Sequence, residues 1–138
     1  MNRLCTAVVA LAACFATAAV LALTRLDAHA AGLTKCAVFT GHQWTSVADA
    51  KWTGSKYQAV VMGAAPMSCD DATALAKKFV ATKIGGNGLQ PMVISGGPAG
   101  WTCKAVSDTT GYAYQGHCYK GGDAAAGATS WGPPLGSF

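Results

Sequence analysis

Apolar positions follow four patterns along the chain. From Leu4 to Thr24 no residue is charged, and Ala, Val and Leu hold most positions. From Ala72 to Ile84 apolar residues recur at helical spacing. From Trp101 to Tyr119 apolar and polar residues largely alternate. From Gly121 onward the pattern dissolves into Gly, Ala, Ser and Pro, with isolated Trp131 and Phe138.

The helical spacing predicts one helix from about Cys69 to Ile84. Ala72, Leu75, Ala76, Phe79, Val80 and Ile84 form a single apolar stripe. Ser68 is a good N-cap, and Asp71 can reach back as a short version of the capping box. Asp70 and Asp71 in the first turn, with Lys77, Lys78 and Lys83 later, suit the helix dipole. Gly85-Gly86-Asn87-Gly88 supplies the stop.

The alternation predicts a hairpin. Placing Cys103 opposite Cys118 centres its loop on Thr110 and Gly111, within a turn-rich stretch. That register puts Trp101, Cys103, Ala105, Tyr114 and Cys118 on one face. Thr102, Lys104, Gln115 and His117 fall on the other, with Val106 and Tyr119 as exceptions, as expected of a half-buried antiparallel pair. Further strands are expected at Lys35–Thr40, Tyr57–Met62 and Pro91–Ser95. Gly41 to Ser55 reads as a loop or an irregular hairpin. The segment 121–138 reads as a flexible Gly/Ala/Pro tail.

The N-terminal pattern changes the compartment. Arg3 precedes the uncharged run, Arg25 and Asp27 end it, and Ala28-His29-Ala30 places small residues at a signal-peptidase site. Residues 1–30 therefore read as a secretory signal cut before Ala31. The run is also long enough to span a bilayer, so an uncleaved anchor is the rival. Leu11-Ala12-Ala13-Cys14 resembles a lipobox, but cutting there would strand an apolar segment on the mature protein. No Arg pair marks a twin-arginine signal.

Of 138 residues, removing the first 30 leaves 108, enough for one domain and one modest core. That part carries eight Lys, five Asp and neither Arg nor Glu, a mildly basic balance. Nucleic-acid surfaces cluster charge and use Arg for bidentate contacts, so no nucleic-acid partner is expected. Four cysteines remain: Cys36, Cys69, Cys103 and Cys118. An even number in a small exported domain predicts two disulfides, and no C-x-x-C spacing suggests zinc or redox chemistry. The hairpin register favours Cys103–Cys118, leaving Cys36–Cys69. A bridge from Cys69 to either hairpin cysteine would also hold the helix on the sheet. The fold class these readings predict is α+β: one main helix packed on a small, mostly antiparallel sheet with two disulfides, over residues 31–120.

Ser68-Cys69-x-x-Ala72 at a helix start, Gly100-Trp101-Thr102-Cys103, and a strand ending in Cys118 together resemble a pattern in small exported proteins of actinobacteria. The similarity spans roughly residues 57–120. It implies an exported α+β domain and assigns no activity; Cys36 and the last residues lie outside it.

Three function classes follow. The leading one is an exported, non-catalytic binding module whose partner is a protein or a cell-surface glycan. Trp44, Trp52 and Tyr57, close in sequence among Thr, Ser, Gln and Lys, are its candidate binding residues, because aromatic faces stack on sugars or anchor partners. The second is a small secreted hydrolase with ribonuclease-like use of His42, His117 and Lys104, since histidine titrates near neutrality. Lys104 beside His117 would lower the histidine's pKa. The third is an extracellular protease inhibitor with disulfide-locked loops. No Gly-x-Ser-x-Gly elbow, Walker loop or carboxylate pair is present. No metal or cofactor is called for, and a monomer, free of any membrane span once the signal is removed, is expected.

Overall fold

The computed structural model describes residues 32–134. The segment 1–30 expected to be a signal, and the cut expected before Ala31, lie outside the described residues. Thr34–Thr45 (β1) and Thr53–Met62 (β2) form a hairpin, followed by a helix, Cys69–Val80 (α1). Met92–Ile94 (β3), Trp101–Ser107 (β4), Ala113–Lys120 (β5) and Asp123–Gly132 (β6) complete the chain. All six strands join one antiparallel sheet in the order β1-β2-β6-β5-β4-β3. The helix carries the chain from one half of the sheet to the far edge, and the last four strands return by short connections. The expected helix on an antiparallel sheet is present, but the sheet is larger than expected and dominates the fold.

The largest departure concerns the segment expected to be a tail. It contains β6, which sits between β2 and β5 and pairs with both. Ala128 and Thr129 are each 1% exposed and Trp131 4%. Composition misleads here because a strand flanked on both sides needs small residues where neighbouring side chains close in, and Ala and Gly carry little strand propensity. The domain accordingly extends through the described C-terminal residues rather than ending at residue 120.

The helix begins as the sequence predicts. The Ser68 hydroxyl accepts from the Asp71 amide at 3.1 Å and donates to the Asp71 carboxylate at 2.6 Å. Ala72, Ala76, Phe79 and Val80 are buried on the inward side. The helix stops at Val80 rather than Ile84. The Ala113 amide donates to the Thr82 carbonyl, the Ile84 amide donates to Gly111, and Lys83 bridges to Tyr112. Pairing with the β4–β5 turn thus captures the backbone groups that another helical turn would have used.

One face of the sheet carries the core. Tyr57, Ala59 and Val61 from β2, Cys103 and Ala105 from β4, and Tyr114 and Cys118 from β5 meet the helix there. Phe79 stacks on Trp131 with ring centroids 5.0 Å apart, and Trp44 stacks on Tyr114 at 5.6 Å. The Trp131 indole needs space over β5, and Gly116 provides it. A Cβ at Gly116 would lie 2.3 Å from the indole. At the β4–β5 turn, the buried Asp108 carboxylate accepts from the amides of Thr110 and Tyr112 and from the Thr110 hydroxyl.

Both disulfides pair as the hairpin register favours: Cys36–Cys69 ties β1 to the helix start, and Cys103–Cys118 crosses β4 and β5 in register. Bridges of this kind persist in oxidising compartments. Among the described residues, no helix is long and apolar enough to cross a membrane.

Two predictions follow from this architecture. Truncation after Lys120 removes β6 and with it the pairing between the two halves of the sheet. The truncated chain is expected to lose its cooperative thermal transition and its near-ultraviolet circular dichroism; a native-like melt would show that β6 is dispensable. Paired Cys→Ser replacements should each cost about 3–4 kcal/mol in urea denaturation, by the loop-closure relation. The Cys36–Cys69 pair should cost slightly more, because it closes 33 residues against 15 for Cys103–Cys118.

Candidate functional site

Because the helix covers one face of the sheet, alternate side chains of each strand point to the opposite face. A single row crosses all six strands there. Lys35 pairs with Val60, Val60 with Ser130, Ser130 with His117, His117 with Lys104, and Lys104 with Val93. A neighbouring row brings Val38 opposite Gln58, Gln58 opposite Gly132, and Gln115 opposite Val106.

The shape of this face follows from side-chain length. On β6 it presents Ser130 and Gly132, both small, while Ala128 on the same alternation is buried. The flanking strands present Gln58 and Val60 on one side and Gln115 and His117 on the other. A trough therefore runs over β6, with a cavity volume of about 360 Å³ extending to Lys104, Val106 and Pro91. This falls within the size range of small-ligand sites. Gly132 keeps the trough open, since a Cβ there would meet the Gln115 side chain at 3.1 Å.

The polar groups converge on this trough. Gln58 donates to the Cys36 carbonyl at 2.8 Å. Among the described residues, the side chains of Lys104, Gln115, His117 and Ser130 make no hydrogen bond within the chain. His117 stacks on Tyr119, two residues along the same strand, with centroids 4.6 Å apart. Its pKa is lowered from the ordinary value of 6.5, first by burial and then by the Lys104 ammonium, the neighbour expected from the hairpin register.

A second recess, about 660 Å³, lies between the helix and the 96–98 loop and is lined by Trp101, Leu75 and Met67. Its polar side chains are largely engaged already. Ser68 and Asp71 form the helix cap, and Lys78 donates to the Gly96 carbonyl at 2.8 Å.

The candidate residues separate. His117 and Lys104 are brought together, directly opposite on β5 and β4. His42 is elsewhere. It stacks on Tyr112 at 3.8 Å, and its carbonyl accepts from the Tyr57 hydroxyl, beside the segment that follows the helix. The sheet separates it from the trough, so the two histidines do not share a site. Among the three aromatics, Trp44 is 4% exposed and Tyr57 0%, and both belong to the buried core, with Trp44 also bordering the recess at Trp52. Tyr57 belongs to the face under the helix, where burial and then Asp108 push its hydroxyl pKa upward. Trp52 alone of the three is exposed, at 47%, in a shallow recess with Lys51, Lys56 and Pro134. Sequence reasoning missed Ser130 because it lay in the supposed tail. Gln115 was placed on the correct face without being marked as a site residue. Among the described residues, no group of three His, Cys, Asp or Glu is placed to hold a metal ion.

The His117 environment makes a direct prediction. In a proton NMR titration His117 should titrate below 6.5, and Lys104→Gln should move it part of the way back, with burial keeping the remainder of the shift. The sign for stability follows by linkage: a lowered folded pKa favours the neutral form. The contribution is complete above about pH 6.5 and is lost as pH falls through the folded value. His117→Gln should flatten that part of the stability profile. Comparison with protein-family models, with curated proteins and with solved structures finds no match, so the reading of this site rests on its own geometry.

Proposed function

We propose that this protein is an exported binding module whose working surface is the trough over β6. The single observation that carries this reading is the asymmetry of the sheet. The helix packs on one face, and the opposite face holds an open trough in which Gln58 is engaged with the Cys36 carbonyl while Lys104, Gln115, His117 and Ser130 make no hydrogen bond among the described residues. A six-stranded sheet of this kind places its side chains on rigid elements, which suits a preformed site. The two disulfides and the sequence of residues 1–30 support export.

A binding role fits better than a catalytic one. Ser130 stands opposite His117, but the strands of this face bring no carboxylate beside His117 to orient the imidazole. The hydrolase reading also required His42, which lies on the helix side of the sheet. The trough offers donors and acceptors beside the apolar side chains of Val60 and Val106, the composition of a recognition site.

The test is ligand mapping on the whole ¹⁵N-labelled protein with a panel of small polar compounds and oligosaccharides. Binding should shift the amides of Val60, Val106, Gln115, His117 and Ser130. Ser130→Gln, which fills the trough, should weaken binding at least about tenfold, or about 1.4 kcal/mol, while the thermal midpoint stays in place. Ligand shifts confined to the helix side, or affinity untouched by Ser130→Gln, would move the site elsewhere.

A further inference from the structure

The distribution of charge across the trough face narrows the ligand. Lys35 shares the central row, and Lys104 stands within it beside His117. Lys56, exposed on the same alternation as Gln58 and Val60, donates to the Thr40 hydroxyl at 2.8 Å. The carboxylates lie away from this surface. Asp70 and Asp71 begin the helix, and Asp108 is buried in the β4–β5 turn. Asp49 lies in the β1–β2 turn, and Asp123 starts β6 beside the β5–β6 turn. Among the described residues, the face between those ends carries cations and no opposing acid.

The remaining lining is neutral and rich in hydrogen-bonding groups. Gln58 and Gln115 carry amides and Ser130 a hydroxyl, while Tyr119, outside the lining, stacks on the His117 ring. Amides and hydroxyls that both donate and accept suit adjacent hydroxyl groups. Aromatic rings suit the apolar faces of sugar rings.

We propose that the trough binds an acidic saccharide, with the uronate carboxylate held between Lys104 and His117 and the sugar hydroxyls met by Gln115 and Ser130. This rests on the binding reading above and specifies its ligand class. Charge complementarity selects an acid, and the amide and hydroxyl lining selects a sugar over a simple anion. The groups facing His117 are Lys104 from β4, Tyr119 from its own strand and the uncharged Ser130 from β6. Lys35 and Lys56 are the further cations of the same face. Protonation of His117 adds positive charge where the carboxylate sits. Binding therefore strengthens as pH falls through the histidine's titration, and bound uronate raises the histidine pKa.

The experiment titrates trigalacturonate, galactotriose and triaspartate into the whole ¹⁵N-labelled protein at pH 5.0 and 7.5. Trigalacturonate should shift the trough amides and bind at least fivefold more tightly at pH 5.0. Lys104→Gln should weaken it at least fivefold at both pH values. His117→Gln should remove most of the pH dependence while leaving trough binding detectable. Equal binding of galactotriose in the trough, unaffected by Lys104→Gln, would overturn the acidic preference and leave the binding surface standing. Triaspartate binding as tightly at the same amides would show that charge alone is read and would remove the saccharide. Trigalacturonate without effect on the trough amides would overturn the inference, with the broader panel and Ser130→Gln deciding the binding reading separately.

Discussion

The fold depends on the insertion of β6 between β2 and β5. On either side of that strand stand two groups of elements: the β1–β2 hairpin with the helix, and the β3–β4–β5 meander. Single hydrogen bonds such as Thr109 to Thr45 and Ala113 to Thr82 also join them, but among the described strands β6 alone forms ladders with both, pairing residues as distant as Gln58 and Gly132. Such a non-local contact carries a loop-closure cost that local pairing does not. The disulfides act on either side of it, Cys36–Cys69 in the first group and Cys103–Cys118 in the second; Cys118 stands opposite Thr129, but neither bridge has a cysteine in β6. The strand is held by its two ladders and by its inward side chains. Trp131 is the principal one, packed on Phe79 with its edge over Gly116.

The composition that lets β6 enter the sheet also shapes the opposite face. Inward, it presents Thr129 and Trp131, which complete the core. Outward, it presents Ser130 and Gly132, which cannot fill the space between the longer side chains of β2 and β5. A strand of valines and isoleucines would have paired as well and propagated the sheet more strongly. It would also have levelled the trough. The recess is thus a property of one strand's side-chain volumes, set against a backbone that stays regular.

Legibility in the sequence tracked how local each determinant was. The helix start could be read because the Ser68–Asp71 cap and the apolar stripe lie within a few residues. The β4–β5 hairpin, its register and the Cys103–Cys118 bridge could be read because turn and alternation are contiguous. That register also placed Lys104 beside His117. What could not be read depended on distant partners. The helix ends early because Thr82–Gly85 pairs with the β4–β5 turn. Residues 123–132 resemble a tail until the long neighbours that surround them are known. Trp44 and Tyr57 resemble an exposed aromatic patch, but bulges in β1 direct this part of the hairpin over the core. Ser130 could enter the site only once β6 was known to be a strand.

The pairing of Lys104 with His117 shows how this face manages charge. Two cations directly opposite on neighbouring strands repel, and partial burial makes a charged imidazole more costly still. The free protein limits that cost by favouring neutral histidine. The cost of charging the imidazole is therefore conditional. An anion between the two side chains would reverse the sign of the interaction, favouring the protonated histidine that the free protein disfavours. A carboxylate built into a neighbouring strand would have neutralised the pair permanently and given the site no preference. Among the described residues the acids stand at the helix start and in the turns, so the sheet itself supplies no counter-charge to this pair.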